Sequence, residues 1–333
     1  MPLIAWTNMN PSSSDVCAVI VTLDPDLKIF SQLIAAISGQ VREWVIVDNG
    51  STETCLAAFK NYLQGSSHRH LILLGENKGI AAAHNCGIRW ALQLKCSHIL
   101  LLDHDSIPAA DMVGHLLTLE STLLTAGKNV GAVGATSVDR RTTTRCGFVQ
   151  KHGFFIRRRY PDAPEDYIKT DFLISSGTLI RSAALQHIGL MNEGYFIDHV
   201  DTEWCFRANH LGYGLFGSGK AILYHCLGDS VIKIWFARWR EIPKHNPLRN
   251  YYMSRNTVRM ICSTPMSMTW RLAHLYRLLR FVVFFLLVAK PRMLRMKMML
   301  FGLLDARKGM QGIIPAERAI FHKQRMIKKT MKS

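Results

Sequence analysis

The chain has 333 residues, 48% of them hydrophobic, which is enough for one large domain or two with a substantial core. Its eight cysteines are scattered with no Cys-x-x-Cys pair, which argues against a zinc site and a disulfide framework and fits a reducing cytosol. The formal net charge of +17 is carried by residues 231–333, which hold 22 Lys and Arg against 3 Asp and Glu, so that third calls for an anionic partner: a membrane surface or nucleic acid.

Residues 1–14 are mixed, with Ser, Asn and Pro, and read as a loose arm without a secretory signal pattern. Val16 to Leu23 (VCAVIVTL) reads as a buried strand. Asp24-Pro25-Asp26 then turns into an amphipathic helix from Leu27 to Ile37. Trp44 to Asp48 is a second strand, ending in Asn49-Gly50-Ser51, and Leu71 to Leu74 a third, ending in Glu76-Asn77-Lys78-Gly79. A helix over Ile80 to Lys95 carries Ile80, His84, Gly87, Ile88, Ala91 and Lys95 along one side. The next strand, Ile99 to Leu102, runs into Asp103-His104-Asp105-Ser106. Strands alternating with helices predict an α/β fold with a doubly wound, mostly parallel sheet.

Each of these strands ends in polar residues: Thr22 and Asp24, Asp48, Asn77, Asp103 and Asp105. In a parallel sheet such ends share one edge, where open α/β sheets bind ligands. Two Asp one residue apart can hold a divalent cation, and the cation a diphosphate. The plain alternative is a polar turn in which Asp105 or Ser106 caps the next helix. No Gly-x-Gly-x-x-Gly follows the first strand and no Gly-x-x-x-x-Gly-Lys-[Ser/Thr] occurs, which weakens a dinucleotide dehydrogenase and a P-loop NTPase.

Val130 to Ala135 reads as a strand, and residues 139–170, rich in Arg with Pro161 and Pro164, as a loop or irregular hairpin. Phe172 to Ser176 reads as a strand running into a tight turn at Gly177, followed by a helix over Arg181 to Ile188. In Gly194 to Arg207 (GYFIDHVDTEWCFR) a helix starting near Val200 puts Glu203 and Arg207 at i and i+4, a spacing for a surface ion pair. Asp201 is either an N-terminal capping residue or a general base for a substrate hydroxyl. Ala221 to Tyr224 is a short strand leading to His225, an imidazole better suited to Mn²⁺ than to Mg²⁺.

Together these stretches resemble the inverting GT-A glycosyltransferases of family 2, most closely the bacterial rhamnosyltransferases of O-antigen and related polysaccharide pathways. The resemblance spans about residues 15–262. It implies that Thr22, Asp24 and Asp48 contact the nucleotide, and that Asn77 and Gly79 lie near the nucleotide-sugar. It makes LLLDHDS the Asp-x-Asp metal motif, with Asp103 and Asp105 on Mg²⁺ or Mn²⁺ and His225 as a further metal or phosphate contact. FIDHVDTEWCFR matches the acceptor motif, with Asp201 as base and Glu203 as second acid; Val200 stands where an acid is common. Ser176, Gly177 and Trp204 are the further acceptor-side residues expected. LRNYYMSRN (Leu248 to Asn256) looks like a segment of rhamnosyltransferase-like members.

The implied organisation is an arm at 1–14, a catalytic domain at 15–230 and a basic helical region at 231–333. The catalytic domain divides into a nucleotide-sugar half to about 136 and an acceptor half beyond it. The expected reaction moves L-rhamnose from dTDP-L-rhamnose to a lipid-linked or polysaccharide acceptor, with a UDP-hexose donor as the same-fold alternative. Phe281 to Ala289 is apolar but too short to span a bilayer. Helices mixing Trp, Phe, Leu and Met with Lys and Arg fit the interface of an anionic membrane on its cytoplasmic face. Packing against the catalytic domain is the alternative for them. A nucleic-acid-binding protein is the rival from another class; it leaves the carboxylate-ended strands unexplained, so no nucleic acid is expected.

Overall fold

The computed structural model describes residues 15–64, 67–225, 230–236, 238–244 and 246–319, with 230–236 and 238–244 described by backbone pairing alone. The expected arm at 1–14 and the end of the basic tail lie outside the described residues.

The N-terminal half alternates β1 (Val16–Thr22), α1 (Leu27–Ser38), β2 (Glu43–Asp48), α2 (Glu53–Tyr62), β3 (Arg69–Leu73), α3 (Ile80–Gln93) and β4 (His98–Asp103). These strands pair in parallel in the order β3-β2-β1-β4. β1 and β2 are buried throughout, as their unbroken apolar runs require of strands covered on both faces. Asp26 caps α1, its carboxylate accepting from the Lys28 and Ile29 amides. Gly87 lets α3 lie close to the sheet: a Cβ there would come within 2.3 Å of Val19.

Past β4 the sheet changes character. β5 (Ile107–Pro108) and α4 (Met112–Thr125) lead into β6 (Val130–Asp139), a hairpin of β7 (Phe148–His152) and β8 (Phe155–Arg159), and β9 (Tyr167–Thr170). β10 (Thr178–Arg181), α5 (Ser182–Ile188), α6 (Val200–His210) and β11 (Gly214–His225) follow. β10 runs antiparallel between β4 and β6, while β6 and β11 are parallel. The whole order is β3-β2-β1-β4-β10-β6-β11-β5, with β9 also on β11. The expected doubly wound sheet is therefore intact in its first half and mixed beyond it.

One expectation is corrected. Phe172 to Ser176 is not a strand. Its one pairing is a bridge from Phe172 to Val149; Leu173 turns inward against Gly134 while its backbone N–H meets Cys205 Sγ. The strand comes after Gly177, whose φ of +79° makes the turn. The expected helical C-terminal region is present, and β12 (Ser230–Phe236) paired antiparallel with β13 (Arg238–Lys244) precedes it. Three helices follow, α7 (Pro247–Ser263), α8 (Met268–Leu287) and α9 (Arg292–Arg307). No helix among the described residues is long and apolar enough to cross a membrane.

Candidate active site

Because β1, β2 and β4 run in parallel, Thr22, Asp48 and Asp103 come out on the same edge of the sheet. The turn at Ser175–Gly177 joins them there, since β10 runs antiparallel to β4 and begins where β4 ends. The Gly177 N–H donates to Leu101 O at 2.8 Å.

The first wall is a set of interlocked loops. Asp48 is buried and accepts from Thr22 Oγ1 (3.2 Å), from the Gly50 N–H (3.1 Å) and from the Ser51 N–H (3.0 Å). Asp24 accepts from the Thr52 N–H at 2.8 Å, so its carboxylate ties the first loop to the second. Asn77 accepts from the Gly79 N–H (3.0 Å) and from Asn49 Nδ2 (3.1 Å), and Asn49 Oδ1 accepts from the Lys78 N–H (2.8 Å). Asn49 was not among the expected residues; its place in the VIVDNGS turn was the available signal. Gly79, at φ +89°, starts α3 against the Phe196 backbone, where a Cβ would lie within 2.6 Å. Ile80 N–H donates to Phe196 O at 2.7 Å.

The floor is the Asp103–Ser106 turn. The Asp103 N–H donates to Ser176 Oγ (3.0 Å), Ser176 Oγ donates to Ser106 Oγ (2.7 Å), and Ser106 Oγ is hydrogen-bonded to His225 Nδ1 (3.0 Å). The same imidazole nitrogen stands 3.2 Å from Asp105. Burial, then the Asp105 charge, pushes the Asp103 carboxyl up to about 6. Burial also works against ionisation of Asp105, but the hydrogen bond and charge of His225 outweigh it and hold Asp105 below its usual range. Burial works against charge on His225 as well; Asp105, with Asp103 and Asp139 behind it, holds the ring above its usual value. Ser106 therefore does not cap a helix: Asp111 occupies the position before α4.

No group of three or more His, Cys, Asp or Glu converges on a point that could hold a metal among the described residues. His225 spends Nδ1 on Asp105 and Ser106. The carboxylates that fit a cation are Asp103 and Asp105, with His225 hydrogen-bonded beside them through Nδ1. Two carboxylates supplemented by substrate phosphates and water is a common Mg²⁺ set, and crowding of their charges is what a cation would relieve.

The opposite wall is α6. Asp201 sits in its first turn, half-buried, with Oδ1 accepting from the Thr202 N–H (2.7 Å) and Oδ2 from the Ser175 N–H (3.3 Å). Burial raises its carboxyl above the usual range, partly countered by those two N–H groups. His199, not Asp201, occupies the cap position. A carboxylate with raised basicity, next to the same Ser175–Gly177 turn that contacts Asp103, can take a proton from a hydroxyl.

Glu203 and Trp204, expected on the acceptor side, are buried in contacts of α6 with the chain around α5. Glu203 is buried and accepts from Arg207 Nε at 2.7 Å; Arg207 also donates to Ile188 O and Leu190 O. Trp204 lies in the core with its indole N–H given to Gly189 O at 2.9 Å. Both fasten α6 to the end of α5.

A parallel β3-β2-β1-β4 unit with a carboxylate pair on the sheet edge and a third, raised carboxyl near it is suited to holding an anionic ligand through a cation and to taking a proton. The glycosyl transferase family 2 model matches residues 18–189, and the chain belongs to that family. It is an enzyme, a glycosyltransferase. It is 29% identical over 303 residues to the dTDP-rhamnosyl transferase RfbF of Shigella flexneri, covering 90% of this chain and 98% of that protein. Among solved structures it resembles S. aureus TarS 1–349 in complex with UDP-GlcNAc (TM-score 0.55, 15% identity, 87% of this chain and 81% of that one). It also resembles the mannosyltransferase PcManGT of Pyrobaculum calidifontis in complex with GDP-Man and Mn²⁺ (TM-score 0.51, 15% identity, 95% and 82%).

Proposed function

We propose that this glycosyltransferase moves L-rhamnose from dTDP-L-rhamnose to a hydroxyl of a lipid-linked or polysaccharide acceptor, with inversion at the anomeric carbon. The observation that carries the donor assignment is the end-to-end similarity to a dTDP-rhamnosyl transferase, covering 98% of that protein. Asp48, Asn77 and Gly79 shape the nucleotide-sugar wall, and Ser176 with Gly177 forms the turn between donor and acceptor. Asp201 removes the proton from the attacking hydroxyl. One displacement needs no carboxylate nucleophile, and so the reaction inverts. Asp103 and Asp105 would hold Mg²⁺ or Mn²⁺, which when bound neutralises charge on the departing diphosphate.

The C-terminal helices support placement on the inner face of the cell membrane, with an anionic surface as partner. α8 exposes Leu272, Leu275, Leu279 and Val283 along one stripe, and α9 exposes Met293, Met296, Leu300 and Leu304 at the same spacing. Arg280, Lys290 and Arg292 are exposed beside them. Apolar stripes with basic flanks suit an anionic lipid interface.

The test is a panel of dTDP-rhamnose, UDP-hexoses and GDP-mannose, assayed for transfer and for slow donor hydrolysis after chelation and after return of Mg²⁺ or Mn²⁺. Turnover of dTDP-rhamnose alone, abolished by chelator and restored by either ion, supports the reading. Preference for a UDP-sugar overturns the donor, and undiminished turnover in chelator overturns the metal.

A further inference from the structure

The loop that launches α6 is held in an unfavourable conformation. Phe196, Asp198 and His199 have φ of +64°, +65° and +64°, three non-glycine residues in the left-handed region within four positions. Each is a strained conformation that persists only where its surroundings over-determine it. Ile80 of α3 and His274 of α8 touch the loop, and its side-chain hydrogen bonds come from α7, about 60 residues further along the chain.

Asn256, fully buried, points its amide Nδ2 at three carbonyls of this loop: Tyr195 (2.8 Å), Ile197 (2.6 Å) and Asp198 (3.2 Å). Its own carbonyl oxygen accepts from Arg255 Nε at 3.0 Å, which fixes which way the amide faces. Arg255, also fully buried, donates to Tyr195 O (3.1 Å) and reaches Gly194 O (3.3 Å). Arg249 brings Nε to Asp198 at 2.9 Å and a terminal guanidinium nitrogen to the same oxygen at 2.9 Å. His199 Nε2 is hydrogen-bonded to Thr257 Oγ1 at 2.9 Å. Four residues of α7, Arg249, Arg255, Asn256 and Thr257, therefore hold each left-handed residue or its neighbour.

The loop ends two residues before Asp201. We infer that Asn256 and Arg249 are positioning residues for the base: they hold the Tyr195–His199 loop in its left-handed conformation, so that α6 starts where the Asp201 carboxylate faces the attacking hydroxyl. The inference rests on the assignment of Asp201 as base.

Charge enters the same arrangement. The carboxylate of Asp198 raises the Asp201 carboxyl, and Arg249 is paired with Asp198. The other groups acting with Asp201 are Thr202 and Ser175, through their backbone N–H groups, and Asp103, Arg277 and Cys205, through space. Neutralising Asp198 moves the acid limb of the rate profile to lower pH. Removing Arg249, whose charge acts on Asp103 as well as pairing with Asp198, moves it to higher pH.

The experiment compares N256A, N256D, R249K, R249M and D198N in the full chain, reading kcat, dTDP affinity and the pH profile. N256D places a carboxylate against three carbonyls, and kcat is expected to fall a hundredfold or more, with dTDP affinity within threefold. R249K keeps the charge but loses the fork, and falls about tenfold. R249M falls further, with its acid limb shifted up, while that of D198N shifts down. Arg249 lies on the partly exposed face of α7, so its variants keep the proposal testable if Asn256 variants do not fold. Unchanged kcat and pH profile in folded R249M and R249K overturns the inference, as does a loss of dTDP affinity proportional to the loss of kcat. A wild-type chain that transfers no sugar from any donor refutes the assignment of function instead.

Discussion

Replacing Asp201 with Asn separates the base from the rest of the site. The carboxylate lies between the Thr202 and Ser175 N–H groups, at 2.7 and 3.3 Å. An amide keeps its oxygen on Thr202 and turns its NH₂ toward the Ser175 N–H, a donor facing a donor, which costs about 1 kcal/mol of stability. The fold survives that loss. Loss of general-base catalysis is worth roughly 10²–10⁴ in rate, or about 3–5 kcal/mol in the barrier. The donor wall is held by Asp48, Asn49, Asn77 and Asp24 through bonds that do not involve Asp201, so dTDP affinity stays within twofold. The assay is steady-state transfer beside calorimetric dTDP binding, each run across pH 4–9. Burial holds the Asp201 carboxyl above its usual range, so wild-type activity falls on the acid side at a pH higher than an ordinary aspartate would give. The variant loses the Asp201 contribution to this limb and keeps that of Asp103, whose carboxyl stands at about 6. Wild-type turnover in D201N refutes the assignment of the base.

Ser176→Ala breaks the link between the Asp103 N–H and Ser106; turnover should fall about tenfold, a loss of about 1.4 kcal/mol, measured as kcat/KM for the donor. Gly79→Ala forces a Cβ to within 2.6 Å of Phe196 at φ +89°, so urea denaturation should show a loss of about 2 kcal/mol or more. His84 is buried without a hydrogen-bond partner for either ring nitrogen among the described residues, and burial lowers it to about 4. Its unfolded value is about 6.5, so the unfolded chain takes up this proton first and stability falls as pH drops from about 6.5 toward 4, by about 3 kcal/mol. In His84→Leu the urea midpoint should fall less between pH 7 and pH 4.5 than in the wild type; an equal fall refutes the assignment.

The donor half was legible because its signals are local. An apolar run ending in a carboxylate, as at WVIVD or ILLLD, states both that the strand is buried and where it stops. The acceptor half was not. The run FLISSG has the composition of a strand, but Leu173 is claimed by the small surface of Gly134, and the pairing moves to Thr178–Arg181. α6 is buried at Val200 and from Thr202 to Phe206, polar residues included, so the pattern of polar positions along it does not show which side meets solvent. The i, i+4 pair Glu203–Arg207 was correctly spaced, but its burial depends on α5, which spacing within α6 cannot reveal.

The donor and acceptor walls meet at Phe196. Its carbonyl receives the first N–H of α3, beside Gly79 on the donor side. Its ring stacks on Tyr252 of α7, with centroids 5.0 Å apart and planes 14° from parallel. Its left-handed backbone begins the loop that leads to Asp201. Phe196 therefore touches the start of the donor helix through one hydrogen bond and leads into the base helix. Each wall alone could be built from its own segment, but their spacing sets whether a hydroxyl beside Asp201 is in reach of a sugar held above Asp103. Misplacement by about 1 Å can cost a hundredfold in rate. A strained residue clamped from a third element is one way to fix that spacing. It also gives α7, packed on its other side against Gly302 and Asp305 of α9, a part in the site although it supplies none of the carboxylates.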